Sequence, residues 1–281
     1  MKPTPGACRR LSAFGALGDN DIGLTETALV LAGAERPGIG FATYERHLEK
    51  LTDDVAAYAG KDVDHPRSGL DMRVEALQQI IAKRYGYGGS DEAYEDFDCA
   101  NLMRVIDRRD GLPTLLGIIY IHVARALGWM IDGLDFPSRF IVRLEFAGQR
   151  RILDPFDHGR VLESFDLRDL YKAVSGPHVE IAPDHTAALS NRAILLRSRR
   201  NAKVLYLRSE NLEEALDVVE TLLLLAPKEP SLWREAGILN ARLDKVAEAI
   251  AALEEYLKHA DAEASRYRTS ILLQELRGRL N

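Results

Sequence analysis

The chain has 281 residues, a hydrophobic fraction of 46%, a charged fraction of 28% and a formal net charge of -6. That length allows one large domain or two ordinary ones, and the composition is that of a soluble globular protein. The acidic balance argues against a general nucleic-acid binder, the two cysteines, Cys8 and Cys99, against a disulfide scaffold or a thiolate metal site, and no run approaches the ~18 apolar residues of a membrane span.

Residues 1–20 show no periodicity and read as a loose arm. Cys8-Arg9-Arg10 and the apolar stretch to Gly18 weakly mimic a secretion signal. That stretch is short, holds two glycines and runs at once into acidic Asp19 and Asp21, so a cytoplasmic protein is expected. Helices are expected over 24–33, 41–58 and 70–85. In the second, Leu48, Leu51, Val55 and Tyr58 make one apolar stripe; in the third, Met72, Leu77, Ile80 and Ile81 point inward. Gly86-Tyr87-Gly88-Gly89-Ser90 lacks the lysine and preceding strand of a phosphate loop and reads as a flexible turn.

A short helix over 101–108 precedes the most apolar segment, 113–127. Apolar residues on nearly every face of that segment imply a buried central helix, opened by Pro113 and closed by Gly128. The period then changes: 130–136, 139–146 and 150–153 are short, aromatic and β-branched, with a turn at Ala147-Gly148-Gln149. These are the strands of a small antiparallel sheet. A domain break is expected near 176–184, and from residue 189 the chain is helical. It also repeats itself: Glu213-Glu214-Ala215-Leu216 matches Ala247-Glu248-Ala249-Ile250, 34 positions on (213 to 247), and Val219 and Leu223 match Leu253 and Leu257. This is the tetratricopeptide period, with small Ala215 and Ala249 where paired helices approach closely.

Several segments carry a resemblance: Tyr94-x-x-Phe97; Arg104-Val105-Ile106-x-Arg108-Arg109-x-Gly111-x-Pro113; Val123-Ala124-Arg125-x-Leu127-Gly128; Phe136-Pro137-x-x-Phe140-x-Val142-Arg143; Leu153-Asp154-Pro155-Phe156; and Gly159-Arg160. In this order and spacing, and followed by the repeats, they resemble a bacterial branch of the transglutaminase-like superfamily in which that domain precedes tetratricopeptide repeats. The fold implied is α+β: a helix-rich transglutaminase-like (papain-like superfamily) domain over 21–180 with a small antiparallel sheet, then an all-α repeat domain over 189–281 with a closing helix.

A thiol enzyme needs a thiolate at a helix start, an imidazole base within hydrogen-bond reach and a carboxylate that orients the imidazole. The superfamily supplies them in that order. The resemblance puts its cysteine position at Pro113 and its histidine position at Arg139, leaving Asp154 as the remnant. Proline has no nucleophile, and a guanidinium stays protonated and cannot act as a base. Arg139 and Asp154 read first as an ion pair across adjacent strands, or Asp154 as the acceptor of backbone N–H groups before Pro155. The sharper reading has Arg139 hold a carboxylate or phosphate of a partner.

Cys99 reads as a small buried hydrophobe, with a relocated nucleophile as its functional counterpart. His158 follows Asp154 closely and reads as a turn histidine near the cleft, with a base as the alternative. His122 reads as a core histidine. His178 and His185 lack ligand spacing for a metal. No cofactor, metal, nucleic acid or membrane is expected. The leading expectation is a non-catalytic scaffold or regulatory protein that binds a protein or peptide through Arg139, Asp154, His158 and Cys99, through its repeats, or both. The alternative is a thiol-type hydrolase or transamidase with a non-standard site built from Cys99, His158 and Asp154.

Overall fold

A computed structural model describes residues 2–19, 21–60, 69–259 and 263–280. The chain divides into two compact units: residues 19–198, and residues 1–18 together with 199–281.

The chain opens with a helix, α1 (Pro5–Gly15), where a loose arm was expected. Thr4 caps it by accepting the Ala7 N–H at 3.2 Å, and Pro5 takes the first helical position, where its missing N–H is harmless. Its one fully buried side chain is Leu11.

In the larger unit, α2 (Leu24–Ala34) is buried on nearly every face. The stripe of α3 (Ala42–Ala59) runs Tyr44, Leu48, Leu51, Val55 and Ala59. Tyr58, expected on that stripe, is exposed, and its hydroxyl donates to Glu75 at 3.0 Å. The helix expected over 70–85 is α4 (Gly69–Leu77), continued by a π-helical segment, Gln78–Arg84. On α4 the buried place is taken by Arg73 rather than by Met72; its guanidinium lies 3.9 Å from the Phe146 ring centroid and 5.3 Å from that of Trp129.

Next come α5 (Leu102–Arg108) and α6 (Pro113–Ala126). Asn101 caps α5, accepting from Met103 and Arg104. Almost all of α6 is buried, as its composition requires. Gly117 lets it approach the sheet: a Cβ there would stand 2.2 Å from the Phe140 ring. Gly128, with φ +71°, then turns the chain out of the helix.

The sheet is antiparallel with strand order β1 (Met130–Leu134), β2 (Ile141–Phe146), β3 (Gln149–Asp154), β4 (Arg160–Leu162). In register, Ile131 faces Leu144, and Val142 faces both Gly133 and Leu153; these residues form the face packed toward α4 and α6. On the other face Arg143 sits between Asp132 and Ile152, and Ile152 faces Leu162. Two details depart from expectation. The strand expected from residue 139 starts at Ile141, so Arg139 lies in a bend after Pro137, whose ring cannot continue a ladder. β4 and the helix after it, α7 (Ser164–Ser175), are additional. Leu167 of α7 closes a small core with Leu134, Phe136, Ile141 and Leu162. The last helix of this unit, α8 (Asn191–Ser198), buries Ile194 and Leu195 and is tied to α2's approach by an Asn191 amide bond to the Ile22 carbonyl at 2.8 Å.

The smaller unit contains α9 (Arg200–Arg208), α10 (Leu212–Leu225), α11 (Pro230–Arg242), α12 (Val246–His259) and α13 (Glu263–Leu280), packed as successive antiparallel neighbours. Ala215 and Ala249 are fully buried. A Cβ on Gly237 would meet Leu253 at 2.5 Å, so α11 and α12 also pack at the distance a small residue allows. α1 packs on α10: a Cβ on Gly15 would lie 2.1 Å from the Leu224 carbonyl oxygen.

Candidate functional site

The site begins at the end of β3. Asp154 is 2% exposed, and each of its oxygens is engaged. Oδ1 accepts the backbone N–H groups of Phe156 at 3.0 Å and Asp157 at 3.4 Å, a turn that an aspartate before proline readily makes. Oδ2 accepts from Arg139 Nη1 at 2.9 Å. The two local readings of Asp154, ion pair and turn acceptor, therefore coexist. Burial pushes its carboxyl above the ordinary aspartate value; Arg139 and the two N–H groups pull against that rise without cancelling it.

Arg139 is three-quarters covered. Its guanidinium carbon lies 5.0 Å from the centroid of Phe156, whose ring meets Tyr94 at a centroid distance of 5.5 Å. The glycine loop is no flexible turn. Gly89 N–H donates to the Phe156 carbonyl at 2.9 Å, and a Cβ on Gly89 would press into the Phe156 ring at 2.0 Å. Gly88 bonds the Arg109 carbonyl at 3.1 Å and abuts the His158 ring. Between the glycines, Tyr87 is fully buried, with its hydroxyl 2.9 Å from His47 Nε2 and 2.5 Å from Arg109 Nη1. Burial, with Arg109 and Lys50 nearby, lowers the His47 pKa to about 4.

Pro113, Gly117 and Tyr120 share one face of α6, at spacings of one and two turns. Gly117 meets Phe140, the residue after Arg139, and Tyr120 meets Gly159 in the turn after Asp154. Pro113 is buried on that same face, at the N-terminal end of the helix. The hydroxyls of Tyr120 and Ser138 are buried without a hydrogen-bond partner among the described residues. Burial first, and then the nearby Asp154 charge, raise the Tyr120 phenol well above its usual value. Gln78, from the π-helical segment, holds the Gly159 carbonyl at 2.8 Å.

The remaining candidates do not assemble into a triad. Cys99 is buried beside the approach to α6: its carbonyl accepts the Leu112 N–H at 3.1 Å, and its Sγ lies 4.0 Å from Asp110 Oδ2. Burial, and the negative charges of Asp110 and Asp96, raise this thiol to about 11. His158 has a left-handed backbone (φ +50°), is exposed, and its Nδ1 sits 3.3 Å from the Tyr87 carbonyl. No hydrogen bond joins it to Cys99 or Asp154 among the described residues. His122 is a core histidine with Nδ1 3.1 Å from the Thr25 hydroxyl, and burial lowers its pKa. His185 accepts the Ala182 N–H at 3.1 Å. Among the described residues, no group of three His, Cys, Asp or Glu side chains could hold a metal ion, and no helix is long and apolar enough to cross a membrane.

Tyr94 and Phe156 are legible in the sequence only through the resemblance, yet with Tyr120 they wall Arg139 and Asp154. Gln78, Tyr87 and His47 were missed. No local signal marks them, because their partners lie 81 and 40 residues away.

Comparison with known proteins gives the same architecture. The transglutaminase-like superfamily pattern matches residues 42–200, and a tetratricopeptide repeat pattern matches residues 202–274. A UPF0162 protein of Xylella fastidiosa (strain Temecula1) is 30% identical over 246 residues, covering 85% of each chain. A UPF0162 protein of Vibrio cholerae is 28% identical over 251 residues, covering 88% of this chain and 91% of that one. Protein SirB1 of Salmonella typhimurium is 26% identical over 175 residues, covering 62% of this chain and 65% of its own. The chain belongs to the transglutaminase-like superfamily, alongside these bacterial relatives, with a tetratricopeptide repeat following the superfamily domain.

Proposed function

We propose that this chain is a non-catalytic transglutaminase-like protein, a cytoplasmic scaffold or regulatory factor that binds a protein partner through its degenerate cleft and its tetratricopeptide repeats. One observation carries the reading: the basic group at the corner of the cleft is Arg139, and it is committed to Asp154 at 2.9 Å. A guanidinium held this way neither takes a proton from a nucleophile nor returns one to a leaving group. Pro113 offers no group to activate. The repeats support the binding half of the reading, since paired helices of this kind present surfaces suited to helices or extended peptides.

The alternative, a thiol-type hydrolase or transamidase built from Cys99, His158 and Asp154, has no observation in its favour. The thiol is pushed up to about 11, and the imidazole is bonded elsewhere. The test follows Cys99 directly. Iodoacetamide labelling of the purified chain, measured by mass spectrometry, should be slow at neutral pH and should rise only as pH climbs toward the raised thiol value. Incorporation of a fluorescent amine into a glutamine-containing protein acceptor should not exceed that of a Cys99→Ser variant. Rapid labelling near pH 7, with amine transfer lost in Cys99→Ser, would overturn the reading.

A further inference from the structure

The sheet face that receives α7 is only partly covered. Next to Leu167 the face is apolar, but it turns cationic at Arg143 and at Arg150, the second residue of β3. Two adjoining cavities, of about 230 Å³ and about 530 Å³, run beside α7 and share Ser164 and Leu167. The first is bounded by Arg143, Arg150 and Arg151, the second by Arg168 and Lys172. Arg151 faces Leu144 on the α4 side of the sheet, so four of these cations stand against two lining carboxylates, Glu163 and Glu180, in a chain whose overall charge is -6.

The cations differ in how they are held. Arg143 is paired with Asp132 at 2.9 Å and with Glu145, and Arg151 with Asp71 at 3.2 Å. Arg150, Arg168 and Lys172 are exposed and have no ion-pair partner among the described residues. The floor between them is apolar: Ile152, Leu162 and Leu167 in one cavity, Leu167 and Ile181 in the other.

We infer that this groove docks a short extended acidic segment of a partner protein, with carboxylates on Arg150, Arg168 and Lys172 and apolar side chains on the floor. The dimensions agree. From Ser164 to Lys172 the helix advances about 12 Å at ~1.5 Å per residue, the length of roughly four extended residues at ~3.3 Å each. An extended chain alternates its side chains, so alternate acidic and apolar residues would meet the rim and the floor together. The inference goes beyond the scaffold reading, because it uses a different surface from the Arg139 corner and stands or falls separately.

The test is fluorescence anisotropy with the full-length chain and a labelled peptide of about eight residues alternating Glu and Leu. Binding is expected, weakening as salt rises. The triple variant Arg150→Glu, Arg168→Glu, Lys172→Glu should lose about tenfold or more in affinity while keeping the wild-type circular dichroism and melting temperature. Lys83→Glu, an exposed change outside the groove, should bind as wild type does. Four results would overturn the inference: no binding of the Glu-Leu peptide at millimolar concentration, equal binding by the triple variant, equal binding of a Glu-Ser peptide that lacks apolar groups, or displacement by inorganic phosphate at concentrations where chloride has no effect. The last would make the groove a simple anion site.

Discussion

The two ends of β3 treat charge in opposite ways. At its last residue a carboxylate is buried, bonded to two backbone N–H groups and matched by one arginine. At its second residue a guanidinium stands in water beside an open groove with no partner of its own. The first arrangement engages both oxygens of the carboxylate within the fold. The second leaves a charge unspent. The closed end lies in the stretch that carries the family resemblance, and the open end borders the groove proposed above.

The largest effect should come from Asp154→Ala. It strands a three-quarters-covered guanidinium and frees two turn N–H groups, so it should cost about 3 kcal/mol, read by urea denaturation. A loss under about 1 kcal/mol would mean that the closed end is not closed. Tyr120→Phe should have a smaller effect of the opposite sign. Its hydroxyl is buried without a partner, so removing it should stabilise the chain by about 1 kcal/mol in the same assay. A loss would reveal that the hydroxyl is satisfied, and that the corner contains a polar group the comparison omits. Arg150→Ala should sit within about 0.5 kcal/mol of wild type. If it destabilises by as much as Asp154→Ala does, the two ends of the strand are not different in kind.

The central helix, the sheet and the repeats were all legible, because each rests on a local pattern. Apolar residues around α6, turn residues at 147–149 and the 34-residue period are visible without knowledge of any distant contact. The pairing of Arg139 with Asp154 was readable as well, although Arg139 reaches Asp154 from the bend before β2 and not from a paired strand. What escaped depends on distant partners. The glycine loop looks flexible in isolation, and only Phe156, His158 and Arg109 make it a fixed strut. α1 and α7 are amphipathic in sequence, but each buries a single side chain, Leu11 and Leu167, and what it packs against lies far along the chain. The groove beside α7 could not be read because its walls come from β2, β3, α7 and the segment after it.

The placement of α1 against α10 has a consequence for synthesis. α1 leaves the ribosome well ahead of α10, since Leu224 follows Gly15 by 209 positions (15 to 224). At ~5–20 residues per second, translation would leave α1 waiting on the order of ten to forty seconds for its docking surface. Throughout that interval the larger unit can fold while the opening helix stays unclaimed, available to a chaperone or a protease. A tag fused just ahead of α1 would crowd a contact that spans most of the polypeptide.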